Sequence, residues 1–157
     1  MDVSWLTRPL EHPDAVALTA EMRAEVDVLY QRPDAGKPLL PEEFQPPRGR
    51  FVVGYEGDHP VACGGYRLIE GHLARVQRVF VRPEARGRAL SRLLMQHLED
   101  AASADGFTSL DLHTGVRQPA AVRVYEGLGY TPIPLFAPYE GDPLSLCYAK
   151  RIGQRLR

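Results

Sequence analysis

The chain has 157 residues, 44% of them hydrophobic and 25% charged, with a net charge of −1. That is the length of one domain with apolar mass enough for a core, and the near-neutral balance argues against charge-driven capture of nucleic acid or anionic lipid. No apolar stretch approaches a bilayer span, Met1–Leu6 lacks a basic-then-apolar leader, and Cys63 and Cys147 have no metal spacing, so the expectation is a cytoplasmic protein with buried, reduced thiols and no metal.

In chain order, Val3–Leu6 reads as a short strand. His12–Tyr30 reads as a helix whose apolar stripe is Val16, Met22, Val26 and Leu29, with Asp14 as cap or Pro13 at its first position. Gln31–Arg48 is a proline-rich loop with one turn around Pro41–Phe44. Arg50–Tyr55 and Val61–Leu68 form an antiparallel hairpin across Glu56–Pro60, and Ala74–Val81 is a third strand after the turn at Gly71. Arg88–Ala102 is the most regular helix, with Leu90, Leu93, Leu94, His97, Leu98 and Ala101 at helical spacing, ended by Asp105-Gly106. Phe107–His113 is a strand, Pro119–Leu128 a helix stopped by Gly129, and Tyr130–Ile133 and Leu144–Ile152 are strands. The order predicts a mixed α/β (α+β) fold, a mixed and mostly antiparallel sheet flanked by helices. It forms one domain over residues 1–153, with residues 154–157 as a tail.

One segment stands apart. The strand to Val81 ends at Pro83, a turn rich in arginine and small residues follows, and a leucine helix begins at once. The first N–H groups of a helix are unpaired and carry the positive end of its dipole, so such a junction suits a phosphorylated ligand. Neither GxxxxGK[ST] nor GxGxxG occurs. Gly87 permits close backbone approach, Ala89 and Ser91 keep the surface open, and Arg86, Arg88 and Arg92 supply charge. The alternative is an ordinary strand–turn–helix with a solvated arginine face.

Arg86-Gly87-Arg88-Ala89-Leu90-Ser91, after a valine–x–proline and before a leucine helix, resembles the [QR]-x-x-G-x-[GA] loop of the GNAT-type N-acetyltransferases. Ala89 stands where glycine is the rule, which calls for an ordinary negative φ or a wider approach to phosphate. Ala121 to Tyr130 resembles the second family motif, A-x-x-x-Y-E-x-x-G-[FY]. Residues 111–119, 133–139 and 144–150 resemble the L-E-T-G-x-x-Q-P-E-A, P-x-F-G-x-Y and L-S-x-C-F-E-K stretches of a bacterial small-molecule subgroup. The likeness covers roughly residues 50–150.

The resemblance implies acetyl-CoA as acyl donor. Val79, Phe80 and Val81 would lie along its pantetheine arm, and Arg86, Gly87, Arg88, Ala89, Leu90, Ser91 and Arg92 at its phosphates. Gln118 and Ala121 would follow on the next helix. Tyr125 matches the tyrosine that protonates the departing thiolate, with plain aromatic packing as the alternative. Where the family often places a glutamate base, this chain has Arg75 on the fourth strand and His113 on the fifth. His113 is the candidate general base, a structural or acceptor-recognition histidine being the alternatives, and His72 is a weaker candidate. His12, His59 and His97 read as surface or helix-packing residues.

Tyr30, Arg32, Phe44, Phe136 and Tyr139 are candidates for the acceptor wall. An Arg75 facing the acceptor would favour an amine that also carries a carboxylate or phosphate. The expectation is acetyl transfer to a primary amine of a small molecule by direct attack in a ternary complex. A protein acceptor, or a silent CoA-binding sensor of the same fold, is the alternative. A homodimer is expected from the resemblance alone.

Overall fold

The computed structural model describes residues 2–32 and 38–153. In chain order they form β1 (Ser4–Thr7), α1 (Pro13–Tyr30), a 3-10 turn (Pro41–Phe44), β2 (Gly49–Glu56), β3 (His59–Glu70) and β4 (Leu73–Val81). A second 3-10 turn (Pro83–Ala85), α2 (Leu90–Ala104), β5 (Ser109–Gly115), α3 (Pro119–Gly127), β6 (Thr131–Ile133) and β7 (Ser145–Arg151) complete the fold. This is the predicted order, with boundaries moved by a few residues. The predicted tail 154–157 and the centre of the predicted proline-rich loop, residues 33–37, lie outside the described residues.

The strands form one sheet in the order β1-β2-β3-β4-β5-β7-β6. Every pairing is antiparallel except β4 with β5. That parallel pair requires a crossover, and α2 supplies it. Its register runs only from Leu73↔Ser109 to Val76↔Leu112. β4 continues to Val81 and β5 to Gly115, so the two strands part after Val76 and Leu112 and leave a split in the middle of the sheet.

A bulge accompanies the split. The β3–β4 register shifts between Gly65↔Gln77 and Cys63↔Phe80, and Arg78 sits there at φ 61. One inserted residue reverses the side-chain alternation: Val79 packs with the α2 core, Phe80 with the α1 core. The Cys63 thiol donates to the Arg78 carbonyl at 3.4 Å. Burial pushes that thiol up to about 12, so it remains protonated and braces the bulge rather than acting as a nucleophile.

α2 buries Leu90, Leu94, Met95, Leu98 and Ala102, a helical-period stripe. Most of it packs in one cluster with Val52, Tyr66, Ala74 and Val76 on one face of the sheet. On the other face α1 packs with Phe51, Val53 and Tyr55 through Ala15 and Leu18. The predicted stripe is therefore rotated: Val16 and Leu29 are 53% and 37% exposed, because the slimmer Ala15–Leu18 edge lets the helix settle closer to the sheet. Pro13 takes the first helical position, and His12 Nδ1, rather than Asp14, accepts the exposed N–H of Asp14. Phe44, predicted as an acceptor wall, is a core residue against Phe51.

Candidate active site

The donor side is assembled from backbone. Gly87 stands at φ 82 and Ala89 at φ 60, ψ 23, directly before the first turn of α2. Ala89 thus keeps the left-handed conformation despite its Cβ, against the expectation of an ordinary negative φ; the departure costs about 1 kcal/mol. No side chain caps α2, and the first helical hydrogen bond is Leu93 N–H to Ala89 C=O at 3.1 Å. The N–H groups of Leu90, Ser91 and Arg92 thus begin the helix as donors.

Three arginines around this loop pair with carboxylates. Arg82 binds Glu21, Arg86 binds Glu25 through both carboxylate oxygens at 2.9 Å, and Arg88 binds Glu56 at 2.5 and 2.9 Å. Arg86 Nε also donates to the Val81 carbonyl at 2.9 Å. The two side chains expected at the phosphates, Arg86 and Arg88, are thus engaged by carboxylates of this chain. Their guanidinium groups tie the loop to α1 and to the end of β2. Arg92 lies beside α3, near Gly127.

Where β4 and β5 part, a cavity of about 940 Å³ opens. Val79, Gln118, Tyr125, His113, Tyr30, Arg75, Phe136 and Tyr139 are all on its wall. Phe80, Val81 and the segment Arg86–Arg92 are not, nor is Ala121, which packs on the α2 core. The predicted donor residues thus fall into two groups, one along the split and one at the start of α2.

Tyr125 stands on α3 with its ring buried edge-on to Tyr130 and its side chain on the cavity wall. Burial pushes its hydroxyl up to about 12. The group holds its proton at any working pH and suits hydrogen-bond donation to a developing thiolate more than early proton release. Tyr30 donates to Gln118 Oε1 at 3.0 Å and accepts from the Arg117 N–H at 3.2 Å, joining the end of α1 to the turn before α3. Gly115 is required for this, since a Cβ there would overlap the Tyr30 ring and hydroxyl. With Oε1 engaged, the Gln118 NH2 is the end left to meet an amide carbonyl.

His113 lies parallel to the Tyr139 ring, centroids 3.5 Å apart, and its Nε2 is 2.8 Å from the Ser145 hydroxyl. Arg75 is bound through two nitrogens to Asp111, at 2.8 and 3.0 Å, and its guanidinium lies 3.5 Å from the Phe136 ring centre. Its charge is matched by a buried carboxylate, so the predicted preference for an acidic acceptor loses the residue that motivated it. His72 is exposed in the β3–β4 turn and is not on the cavity wall. His97 stacks on Trp5, with its pKa lowered chiefly by burial.

A model of the acetyltransferase (GNAT) family matches residues 15–130. The chain belongs to that family. It is 39% identical over 102 residues to an IAA acetyltransferase of Azospirillum brasilense, spanning 64% of this chain and 67% of that protein. It is 24% identical over 127 residues to YsnE, an uncharacterized N-acetyltransferase of Bacillus subtilis, spanning 79% and 83%. The crystal structure of a Klebsiella pneumoniae protein, assigned as an acyl-CoA N-acyltransferase, superposes with TM-score 0.81 at 28% identity over 96% of this chain and 98% of that one. The fold is the GNAT acyl-CoA N-acyltransferase fold, and membership supports acetyl-CoA-dependent acetyl transfer as the general activity.

The chain fits that donor on its own geometry. The split offers β4 backbone unpaired by β5, and Gly87 and Ala89 hold the loop open before uncapped N–H groups. Sequence reasoning missed Ser145, Asp142 and Gly115 as parts of this GNAT site. Only the pairing of β5 with β7, Gly115↔Ser145 and His113↔Cys147, brings Ser145 beside His113, and no local pattern announces it.

Proposed function

We propose that this protein moves an acetyl group from acetyl-CoA to a primary amine of a small molecule, by direct attack in a ternary complex. The observation that carries the reading is the joint placement of Tyr125 and His113 on one cavity that opens where β4 and β5 part. Acetyl-CoA would supply the activated acyl group. Val79 and Gln118 would meet its arm, and the N–H groups from Gly87 to Arg92 its phosphates. His113 takes a proton from the amine as it attacks. Tyr125 donates a hydrogen bond to the sulfur as it leaves.

A small acceptor suits the rim. Arg32 and Asp142 both line the cavity and pair through two hydrogen bonds. They link the end of α1 to the loop before β7 and narrow the acceptor side. The wall there is aromatic, with Tyr30, Phe136 and Tyr139. This agrees with the resemblance to the bacterial small-molecule subgroup.

The test is thiol release from acetyl-CoA against a panel of amines, amino acids, peptides and IAA, with His113→Gln in parallel. Turnover on one small amine, strongly reduced in His113→Gln, is expected. Turnover on peptides alone would replace the acceptor class, and acetyl-CoA binding without turnover on any acceptor would favour the sensor reading.

A further inference from the structure

Asp142 lies in the loop between β6 and β7, and four donors surround its carboxylate. Oδ1 accepts from Arg32 Nη1 at 3.2 Å and from the Leu144 N–H at 3.0 Å. Oδ2 accepts from Arg32 Nη2 and from the Ser145 hydroxyl, both at 2.5 Å. The Arg32 guanidinium first, then Ser145 and the Leu144 N–H, hold this carboxyl well below the usual carboxylate range. It is therefore a carboxylate at any working pH, and a carboxylate only accepts hydrogen bonds.

The Ser145 hydroxyl has one proton, and Asp142 takes it. The same oxygen lies 2.8 Å from His113 Nε2. It has no second proton to give, so it accepts there, and Nε2 carries the N–H. In the neutral ring the lone pair then belongs to Nδ1. The parallel Tyr139 ring, 5° from coplanar, holds the imidazole plane. Register makes the contact possible, because Ser145 on β7 stands two residues before Cys147, the partner of His113 across the strands.

We propose that Asp142 and Ser145 are positioning residues that fix the tautomer of His113 and make Nδ1 the atom that takes the amine proton. The proposal rests on His113 being the base of the acetyl transfer. In the step, an N–H bond of the acceptor breaks, an Nδ1–H bond forms, and the nitrogen keeps its electron pair for the acyl carbon. No proton travels along the relay. The imidazolium keeps its Nε2–H on Ser145, whose oxygen is polarised by Asp142, and Arg32 keeps that carboxylate in place from the end of α1. Because Ser145 stands between carboxylate and imidazole, it is an orienting hydroxyl rather than a nucleophile.

The tautomer can be read directly. Long-range proton–nitrogen spectra of the full chain labelled at the imidazole nitrogens, with His113 identified by its loss in His113→Gln, should show the Nε2–H form at a pH where the ring is neutral. Ser145→Ala should give a mixture. Asp142→Asn leaves its carbonyl to Arg32 and Leu144 and turns its NH2 to Ser145; the hydroxyl then points at Nε2, and the Nδ1–H form should dominate. With an acceptor returned by the amine panel, Ser145→Ala should lower kcat about tenfold at unchanged KM for acetyl-CoA, and Ser145→Thr should restore it. An Nδ1–H form in the wild type, or a tautomer ratio unmoved by Ser145→Ala, would overturn the relay. Full turnover by His113→Gln beside an intact Nε2–H wild type would instead overturn the base assignment while leaving the proton arrangement standing.

Discussion

The start of α2 and the cavity wall around His113 are prepared differently. At the start of α2 the chain sets backbone: Gly87 and Ala89 take left-handed conformations, and the helix begins uncapped. Around His113 it sets side chains against one another: Arg75 on Asp111, Arg32 on Asp142, Ser145 on both Asp142 and His113, Tyr30 on Gln118. Backbone donors do not depend on which side chains the loop carries, so they tolerate substitution. Side-chain networks depend on each residue's identity, so single substitutions there reshape the wall. The arginines at the start of α2 pair with Glu25 and Glu56, contacts that solvent screens.

The largest effect that would sharpen this contrast is at the acceptor end. Asp111→Ala leaves the Arg75 guanidinium in a mostly buried site without its carboxylate. It should cost about 3 kcal/mol in urea unfolding; a loss below about 0.5 kcal/mol would mean that the network does not hold the wall. Tyr125→Phe keeps the buried ring and removes only the hydroxyl. It should lower kcat about a hundredfold and leave KM for acetyl-CoA within about twofold.

The pH behaviour of Tyr125 follows from burial, which raises its pKa from an ordinary 10.0 to about 12. Its contribution to folding is complete below about pH 10 and declines as pH rises towards about 12, because the unfolded chain ionises first. Tyrosinate absorbance and alkaline unfolding check this, and no alkaline limb in the rate below about pH 10 should belong to this residue. The smallest effect belongs to the donor loop. Ala89→Gly relieves a left-handed alanine and should stabilise the chain by about 0.5–1 kcal/mol, with acetyl-CoA bound at least as well. Thermal unfolding that shows destabilisation would argue that the loop does not hold φ 60 in solution.

The sequence carried the element order because α2 and the hairpins announce themselves by period and by turn residues. Leu90, Leu94 and Leu98 recur at helical spacing, and Gly71, Gly106 and Gly129 sit where positive φ is required. The stripe of α1 was misread because periodicity permits two neighbouring edges. The sheet beneath, through Phe51 and Tyr55, selects Ala15 and Leu18 over Val16. Side-chain destinations were the least legible. Nothing local to Arg86 and Arg88 announces Glu25 and Glu56, which are distant in sequence and pair with them. The partner of Arg75 was equally hidden, because only the parallel β4–β5 register sets Asp111 opposite it.

The most direct test of the donor-end account is calorimetric titration of acetyl-CoA into the wild type, Gly87→Val, and the double variant Arg86→Ala/Arg88→Ala. Valine at φ 82 disfavours the open loop, so affinity should fall by about tenfold or more. The double arginine variant should stay within about threefold if, as proposed, backbone N–H groups rather than guanidinium groups meet the phosphates. Tight binding by Gly87→Val together with a large loss in the arginine variant would contradict the account and return the phosphates to the guanidinium groups.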